Sequence, residues 1–243
     1  GQAAPTTLTL GVVDPGFLPG EYRASVAITS PDAINSPQTV QVLLRVSPRP
    51  SLSFSTIDVS PATIVANGSS LAGVQVRLFD RRAVPITTGQ HVIALQATTG
   101  TLTPVLNNGN GTYNSTLRST LTAGVSTITG TVNGLPLLDV ALVTFVPGPA
   151  SGAPTTIAAA PASIVANGTS TSTVTVQAID VNGNLHTTGG ATVALATTRG
   201  TLGPVTDAAN GTYTATLTSS IAAGPATITG TIGGLAIVDN AVV

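Results

Sequence analysis

The residues that could do chemistry are few in this chain of 243 residues, which has no Cys, two His and a single Glu, Glu21. The histidines, His91 and His186, could ligate zinc only together with carboxylates, because the usual cysteine ligands are missing. In an internal repeat described below, they correspond to Ala191 and Ile86, so neither belongs to the repeated sequence. We therefore predict that both are ordinary strand or loop residues, and that the chain has no metal site, no cofactor and no catalytic site.

The segment Asp180-Val181-Asn182-Gly183-Asn184 has oxygen-bearing side chains at alternate positions, as a calcium-binding loop does at its start. It lacks the bidentate Glu that closes such a loop, and the first copy of the repeat has Arg81 and Arg82 at the matching place. The same residue types are typical of a tight turn stabilised by an Asp side chain. We predict a turn here rather than a calcium site.

Several short motifs match patterns for modification or for tight turns. Five Asn-x-Ser/Thr triplets match the N-glycosylation pattern, and four of them contain Asn-Gly, the commonest pair in tight hairpin turns; they begin at Asn67, Asn110, Asn114, Asn167 and Asn210. We interpret them as turns. The chain has neither a Gly-x-Ser-x-Gly elbow nor a phosphate-binding glycine loop, so we predict that it is not an enzyme.

The composition excludes several classes of partner. Charged residues make up 7% of the chain, against about 25% in ordinary globular domains. All eight cations are Arg and the net charge is −1, so no basic face could neutralise nucleic-acid phosphates. No apolar run reaches the roughly 18 residues of a transmembrane helix. The absence of Cys fits both a secreted bacterial module and a cytosolic protein.

The organisation is that of a tandem array, because residues 61–68 return as residues 161–168 and the offset of 100 residues then holds without a gap. Apolar residues alternate with polar ones, as in Val74 and Val76, and turn pairs separate these runs. This pattern predicts an all-β fold of tandem Ig-like antiparallel β-sandwiches, with domains at 51–149 and 155–243. We predict that Tyr113 and Tyr213 occupy equivalent buried positions, and that Ile128 and Ile228 do so as well.

The repeats resemble the bacterial Ig-like domain of group 1, found in intimin- and invasin-type surface proteins. The residues that carry the resemblance in the second repeat are Ser163, Ile164, Ala166, Asn167, Gly168, Ser170, Val174, Val176, Asp180, Asn182, Gly183, Asn184, Thr198, Gly200, Thr201, Leu202, Asn210, Gly211, Thr212 and Tyr213. The first repeat departs from the pattern at Arg81-Arg82-Ala83. The resemblance covers residues 51–243 and implies sandwiches that mostly act as spacers outside the cytoplasm.

Residues 1–48 resemble the C-terminal half of another Ig-like module, of the BACON type. The residues that carry this resemblance are Leu18, Gly20, Tyr22, Val26, Ile28, Ser30, Asn35, Pro37, Val40, Val42, Leu44 and Val46. The segment has room for about three strands, whereas a two-sheet sandwich needs about seven. Its apolar row, Val40, Val42, Leu44 and Val46, would then face water, so we predict that something covers it: the second repeat, an upstream stretch or a protein partner, with strand addition as one means.

We therefore predict a non-catalytic, extracytoplasmic structural or interaction protein, located in the periplasm, on the cell surface or outside the cell. Its sandwiches would pack against other protein subunits in a larger surface or envelope assembly, without nucleic acid and without a membrane span. Two alternatives stay open: an adhesin stalk or carbohydrate-contacting module, and a phage tail or decoration protein. The last strand of the first repeat continues to Val146 and the second stops at Val243, so either the chain is part of a longer one or neighbours complete it.

Overall fold

The computed structural model describes residues 9, 11–13, 17–31 and 34–243. Within this part of the chain every regular element is a strand, so the all-β prediction is confirmed. The described residues include no helix with the length and apolarity that crossing a membrane requires. The strands form five sheets, of which one belongs to the N-terminal segment and two to each repeat.

The N-terminal segment, residues 1–48, contains a hairpin of two long strands, β1 (Gly20–Ile28) and β2 (Gln38–Val46). They pair antiparallel over their whole length, from Gly20 opposite Val46 to Ile28 opposite Gln38. About three strands were predicted here, and the described residues hold two; part of the segment lies outside the described residues. Because β1 and β2 pair only with each other among the described strands, both outer edges of the hairpin are open.

The first repeat, residues 51–149 and called repeat 1 below, is a sandwich of two sheets. Its strands are β3 (Thr56–Ser60), β4 (Thr63–Val65), β5 (Leu71–Arg77), β6 (Ile93–Ala97), β7 (Thr101–Leu102), β8 (Leu106–Asn107), β9 (Thr112–Arg118), β10 (Gly124–Val132), β11 (Leu135–Pro136) and β12 (Ala141–Val146). One sheet has the order β3-β5-β9-β7, with β8 also on β9. The other has the order β11-β10-β12-β4, with β6 also on β10, and its β12–β4 pair is parallel.

The second repeat, residues 155–243 and called repeat 2, has the same two sheets. Its strands are β13 (Thr156–Ala160), β14 (Thr171–Gln177), β15 (Val193–Thr197), β16 (Thr201–Leu202), β17 (Thr206–Asp207), β18 (Thr212–Thr218), β19 (Thr227–Ile232), β20 (Leu235–Ala236) and β21 (Ala241–Val242). Residues 163–165 are not a strand here. In repeat 1 the matching β4 pairs with residues 144–146, and the corresponding positions of repeat 2 lie beyond residue 243.

The core of each repeat lies between its sheets, and many of its buried positions recur in both repeats. Tyr113 is 1% exposed and Tyr213 is 2% exposed, while Ile128 and Ile228 are both fully buried, so the predicted equivalence is confirmed. These side chains come from strands in which every second residue points inward, which is the period of a strand with one buried face. Apart from Phe145 in repeat 1, the rest of each core consists of Val, Ile, Leu and Ala.

The buried tyrosine also fixes the chain in the opposite sheet through its hydroxyl group. The hydroxyl oxygen of Tyr113 accepts a hydrogen bond from the N–H of His91 at 3.2 Å, and that of Tyr213 from the N–H of Ala191 at 2.8 Å. In each repeat the donor lies two positions before the strand that follows it, β6 in repeat 1 and β15 in repeat 2. A buried ring with a satisfied polar end thus joins the two sheets in each repeat.

Candidate functional site

The turn at residues 180–184 lies at the end of repeat 2 that faces repeat 1, and its centre is a buried carboxylate. Oδ1 of Asp180 accepts hydrogen bonds from the N–H groups of Asn182 at 2.9 Å and Asn184 at 2.8 Å. Oδ2 accepts from Nδ2 of Asn184 and from the N–H of Gly148 in the linker, both at 2.9 Å. The predicted turn is confirmed. Its carboxylate accepts four hydrogen bonds, which occupy the oxygen atoms that a calcium ion would use as ligands.

The turn also binds repeat 1 through two asparagine side chains. Nδ2 of Asn182 donates to the backbone carbonyl of Ala66 at 3.1 Å. Asn184 accepts a hydrogen bond from the N–H of Ala123 at 2.7 Å and donates from Nδ2 to the carbonyl of Leu121 at 2.8 Å. At about 0.5–1.5 kcal/mol for each net hydrogen bond, these contacts are enough to favour one orientation of repeat 2 on repeat 1.

We call Asp180, Asn182 and Asn184 the latch. The carboxyl group of Asp180 is fully buried. Burial is the largest single influence on its pKa and, acting alone, would raise it. The hydrogen bonds donated by Asn184, Gly148 and Asn182 act in the opposite direction and together hold the pKa below its ordinary value of 3.8. The latch therefore contains a buried anion at neutral pH, compensated by hydrogen-bond donors from both the turn and the linker.

The corresponding loop of repeat 1, residues 80–84, keeps the turn and its aspartate but has Arg82 and Val84 at the two asparagine positions of the latch. Oδ1 of Asp80 accepts hydrogen bonds from the N–H groups of Arg82 at 2.8 Å and Val84 at 3.0 Å. The guanidinium of Arg82 lies 3.4 Å from Oδ2 of the same Asp80. Val84 has no hydrogen-bonding side chain and is 48% exposed, whereas Asn184 is 8% exposed.

The two histidines lie in different repeats and have different surroundings. Nδ1 of His91 is 3.1 Å from Nδ2 of Asn133, and burial lowers the pKa of His91. Nε2 of His186 is buried and has no hydrogen-bond partner among the described residues. Among the described residues no three His, Cys, Asp or Glu side chains come together as a metal-binding group.

The predicted partner-contact row lies along one face of β2 and is only partly covered by the described residues. Val40 is 44% exposed, and Val42, Leu44 and Val46 are half-buried. The last two also line a cleft of about 390 Å³ between the hairpin and repeat 1, together with Phe17 and His91. The row therefore stays available for contact, and its role stays a prediction.

Comparison with known proteins identifies the architecture of both repeats. The family model for Invasin, domain 3, matches residues 51–148 and again residues 151–243. InvD of Yersinia pseudotuberculosis is 27% identical, with a TM-score of 0.61 over 79% of this chain and 57% of that one. Invasin, described as a bacterial integrin-binding protein, is 24% identical, with a TM-score of 0.63 over 85% of this chain and 42% of that one.

The Escherichia coli adhesin FdeC gives a similar superposition, with 22% identity and a TM-score of 0.65 over 82% of this chain and 65% of that one. At such identities FdeC and invasin support the fold alone. The chain spans between 42% and 65% of the length of these three structures. What is matched is therefore a pair of domains within larger proteins.

Proposed function

The chain belongs to the Invasin domain 3 family, and from this membership we propose that it is a non-catalytic spacer and interaction region of a bacterial surface adhesin. Its two repeats are Ig-like β-sandwich domains of the kind that bacterial cell-surface adhesins carry. The proposed location is outside the cytoplasm, and the proposed partners are other proteins.

The observation that carries the spacer proposal is the latched joint between the repeats. A spacer must transmit position from one end to the other, and the latch makes repeat 2 follow repeat 1 through hydrogen bonds to Ala66, Leu121 and Ala123. The linker at residues 147–149 is short and contains two prolines, which stiffens the same joint.

A cell-adhesion assay tests whether this region spaces or binds. Beads coated with the purified chain are compared with beads coated with an integrin-binding protein, on cells that display integrins. A spacer gives no attachment above uncoated beads. Attachment that soluble chain inhibits would overturn the spacer proposal and assign receptor binding to these repeats.

A second proposal concerns the N-terminal segment, which we propose is part of a separate Ig-like module that a protein partner covers. Its support is the half-exposed row on β2 beside two open strand edges, since an added strand would pair the edge and cover the row together. Val42 belongs to this row, whereas Leu43 points to the opposite face and is 45% exposed.

The absence of Cys makes this second proposal testable with single introduced thiols. Maleimide labelling of Val42→Cys and of the control Leu43→Cys is measured in the purified chain and in the protein displayed on its native surface. The proposal expects Val42→Cys to be protected only in the native assembly, while Leu43→Cys stays reactive. Equal reactivity of Val42→Cys in both states would show that nothing covers the row.

A further inference from the structure

The two joints of this chain differ in chemistry, although the domains that follow them are repeats of each other. The joint before repeat 2 contains the latch. The joint before repeat 1 has Arg82 where the latch has Asn182, and Val84 where it has Asn184. Both side chains that bind the preceding domain are therefore replaced: Val84 has no hydrogen-bonding side chain, and the guanidinium of Arg82 lies against Asp80 of its own loop.

The linkers before the two repeats also differ, because only the second one supplies a backbone hydrogen-bond donor to the turn. Gly148 donates its N–H to the buried carboxylate of Asp180 at 2.9 Å. The corresponding residue ahead of repeat 1 is Pro48, which has no N–H to donate. Asp80 is satisfied within its own loop, by the N–H groups of Arg82 and Val84.

The space around the two loops also differs. At the first joint, a cavity of about 270 Å³ lies between the hairpin and the loop of repeat 1, and Val46, Arg49, Asp80 and Arg82 are among its lining residues. At the second joint, Asn184 is 8% exposed and makes two hydrogen bonds to repeat 1. Direct hydrogen bonds such as those of Asn184 resist rotation of one domain on the other.

We propose that the Asp180–Asn184 turn recognises the end of repeat 1 and locks the second joint, and that the first joint is the hinge of the chain. The hydrogen bonds from Asn182 and Asn184 to Ala66, Leu121 and Ala123 set one angle between the repeats. The N-terminal segment then moves as a separate body relative to a rigid pair of repeats. This inference concerns mechanics and holds whatever the protein binds.

Distance measurements between pairs of spin labels test the proposal, because a chain without Cys accepts single introduced thiols at chosen places. One labelled pair, Thr129→Cys with Thr229→Cys, spans the second joint. Another, Ser25→Cys with Thr129→Cys, spans the first. All three residues are exposed strand positions. The proposal expects a narrow distance distribution across the second joint and a broad one across the first.

The decisive variant gives the latch the residues of repeat 1, as Asn182→Arg with Asn184→Val. It should broaden the distribution across the second joint to the width found across the first. Val181→Arg is the matched control, since it also takes the repeat 1 residue but lies at a 77% exposed position outside the latch. The control should leave the distribution narrow.

Folding is followed in the same samples by the near-ultraviolet signal of the buried tyrosines. If the double variant unfolds repeat 2, Asn182→Ala gives the test instead, because it removes only the hydrogen bond to Ala66 and should cause partial broadening. Equal widths across the two joints of the unmodified chain would overturn the proposal. So would a narrow distribution in folded Asn182→Arg with Asn184→Val.

Discussion

Gly211 and Gly183 form a matched pair for testing what each turn requires of its glycine. Both have a φ of +85°, a conformation that costs a residue with a side chain about 1–2 kcal/mol. A Cβ atom on Gly211 would lie 1.8 Å from the carbonyl oxygen of His186, whereas one on Gly183 would have nothing within 4 Å. An alanine would therefore have the same backbone strain at both sites, but only at Gly211 would its Cβ atom also overlap with another backbone atom.

The overlap at Gly211 is with backbone, so no side-chain rotation relieves it. To make room, the start of β18 must move away from His186, which breaks the hydrogen bond from the N–H of Ala178 to the carbonyl of Gly211 at 2.9 Å. Adding about 1–3 kcal/mol for the forced repacking and about 1 kcal/mol for the lost hydrogen bond to the φ strain gives about 3–6 kcal/mol for Gly211→Ala. Gly183→Ala should cost only about 1–2 kcal/mol.

Chemical denaturation of the two variants, with calorimetry to assign the transitions, measures these costs. Gly211→Ala should lower the transition of repeat 2 and leave repeat 1 unchanged. Gly111→Ala should do the reverse, because its Cβ would lie 1.5 Å from the carbonyl oxygen of Ile86. If Gly183→Ala destabilised repeat 2 as much as Gly211→Ala, backbone strain alone would explain the glycines, and the reasoning from overlap would be refuted.

Three further predictions concern the core, the latch and the histidines. In urea titrations, Tyr213→Phe should lower the free energy of unfolding by about 1–3 kcal/mol, because it leaves a backbone N–H without its acceptor, and Tyr213→Ala should lower it by about 3–5 kcal/mol. The same order is expected for Tyr113. Equal costs for Phe and Ala would contradict the role of the hydroxyl. Because the pKa of Asp180 is lowered in the folded protein, its stabilising effect is present above about pH 3.9 and is lost as the pH falls through the lower folded value. The second joint should thus loosen only in that acidic range, with broader spin-label distances, and Asp180→Asn should remove this pH dependence. A chelator should leave the melting temperature unchanged, whereas a fall of several degrees that His91→Ala or His186→Ala abolished would reveal a metal site.

The core of each repeat could be predicted from the sequence because it depends on a local pattern. Alternation of apolar and polar residues along a strand places every second side chain on one face, so Tyr113, Ile128 and their partners had to be buried if the strands formed. The offset of 100 residues supports the prediction further, since the same alternation of apolar and polar residues occurs in both repeats.

The turn at residues 180–184 could be predicted only in part from the sequence. Its residue types predicted a turn, because an Asp side chain binds N–H groups two to four positions onward, a local interaction. They did not predict the contacts of Asn182 and Asn184 with repeat 1. The signal in the sequence is a difference between the repeats, because Arg82 and Val84 stand in repeat 1 where repeat 2 has those asparagines.

The sequence by itself thus determined the fold class, the repeat and the residues that fill each core. Only the tertiary structure decided that Asp180 holds the linker, that the parallel pair of β12 and β4 closes repeat 1, and which carbonyl groups the latch binds. The physical reason is distance along the chain: Asn182 and Ala66 are 116 residues apart, and no local period records such a contact. Backbone groups such as the carbonyl of Ala66 carry no mark of their partner in the sequence, so only the packing of one repeat on the other selects them.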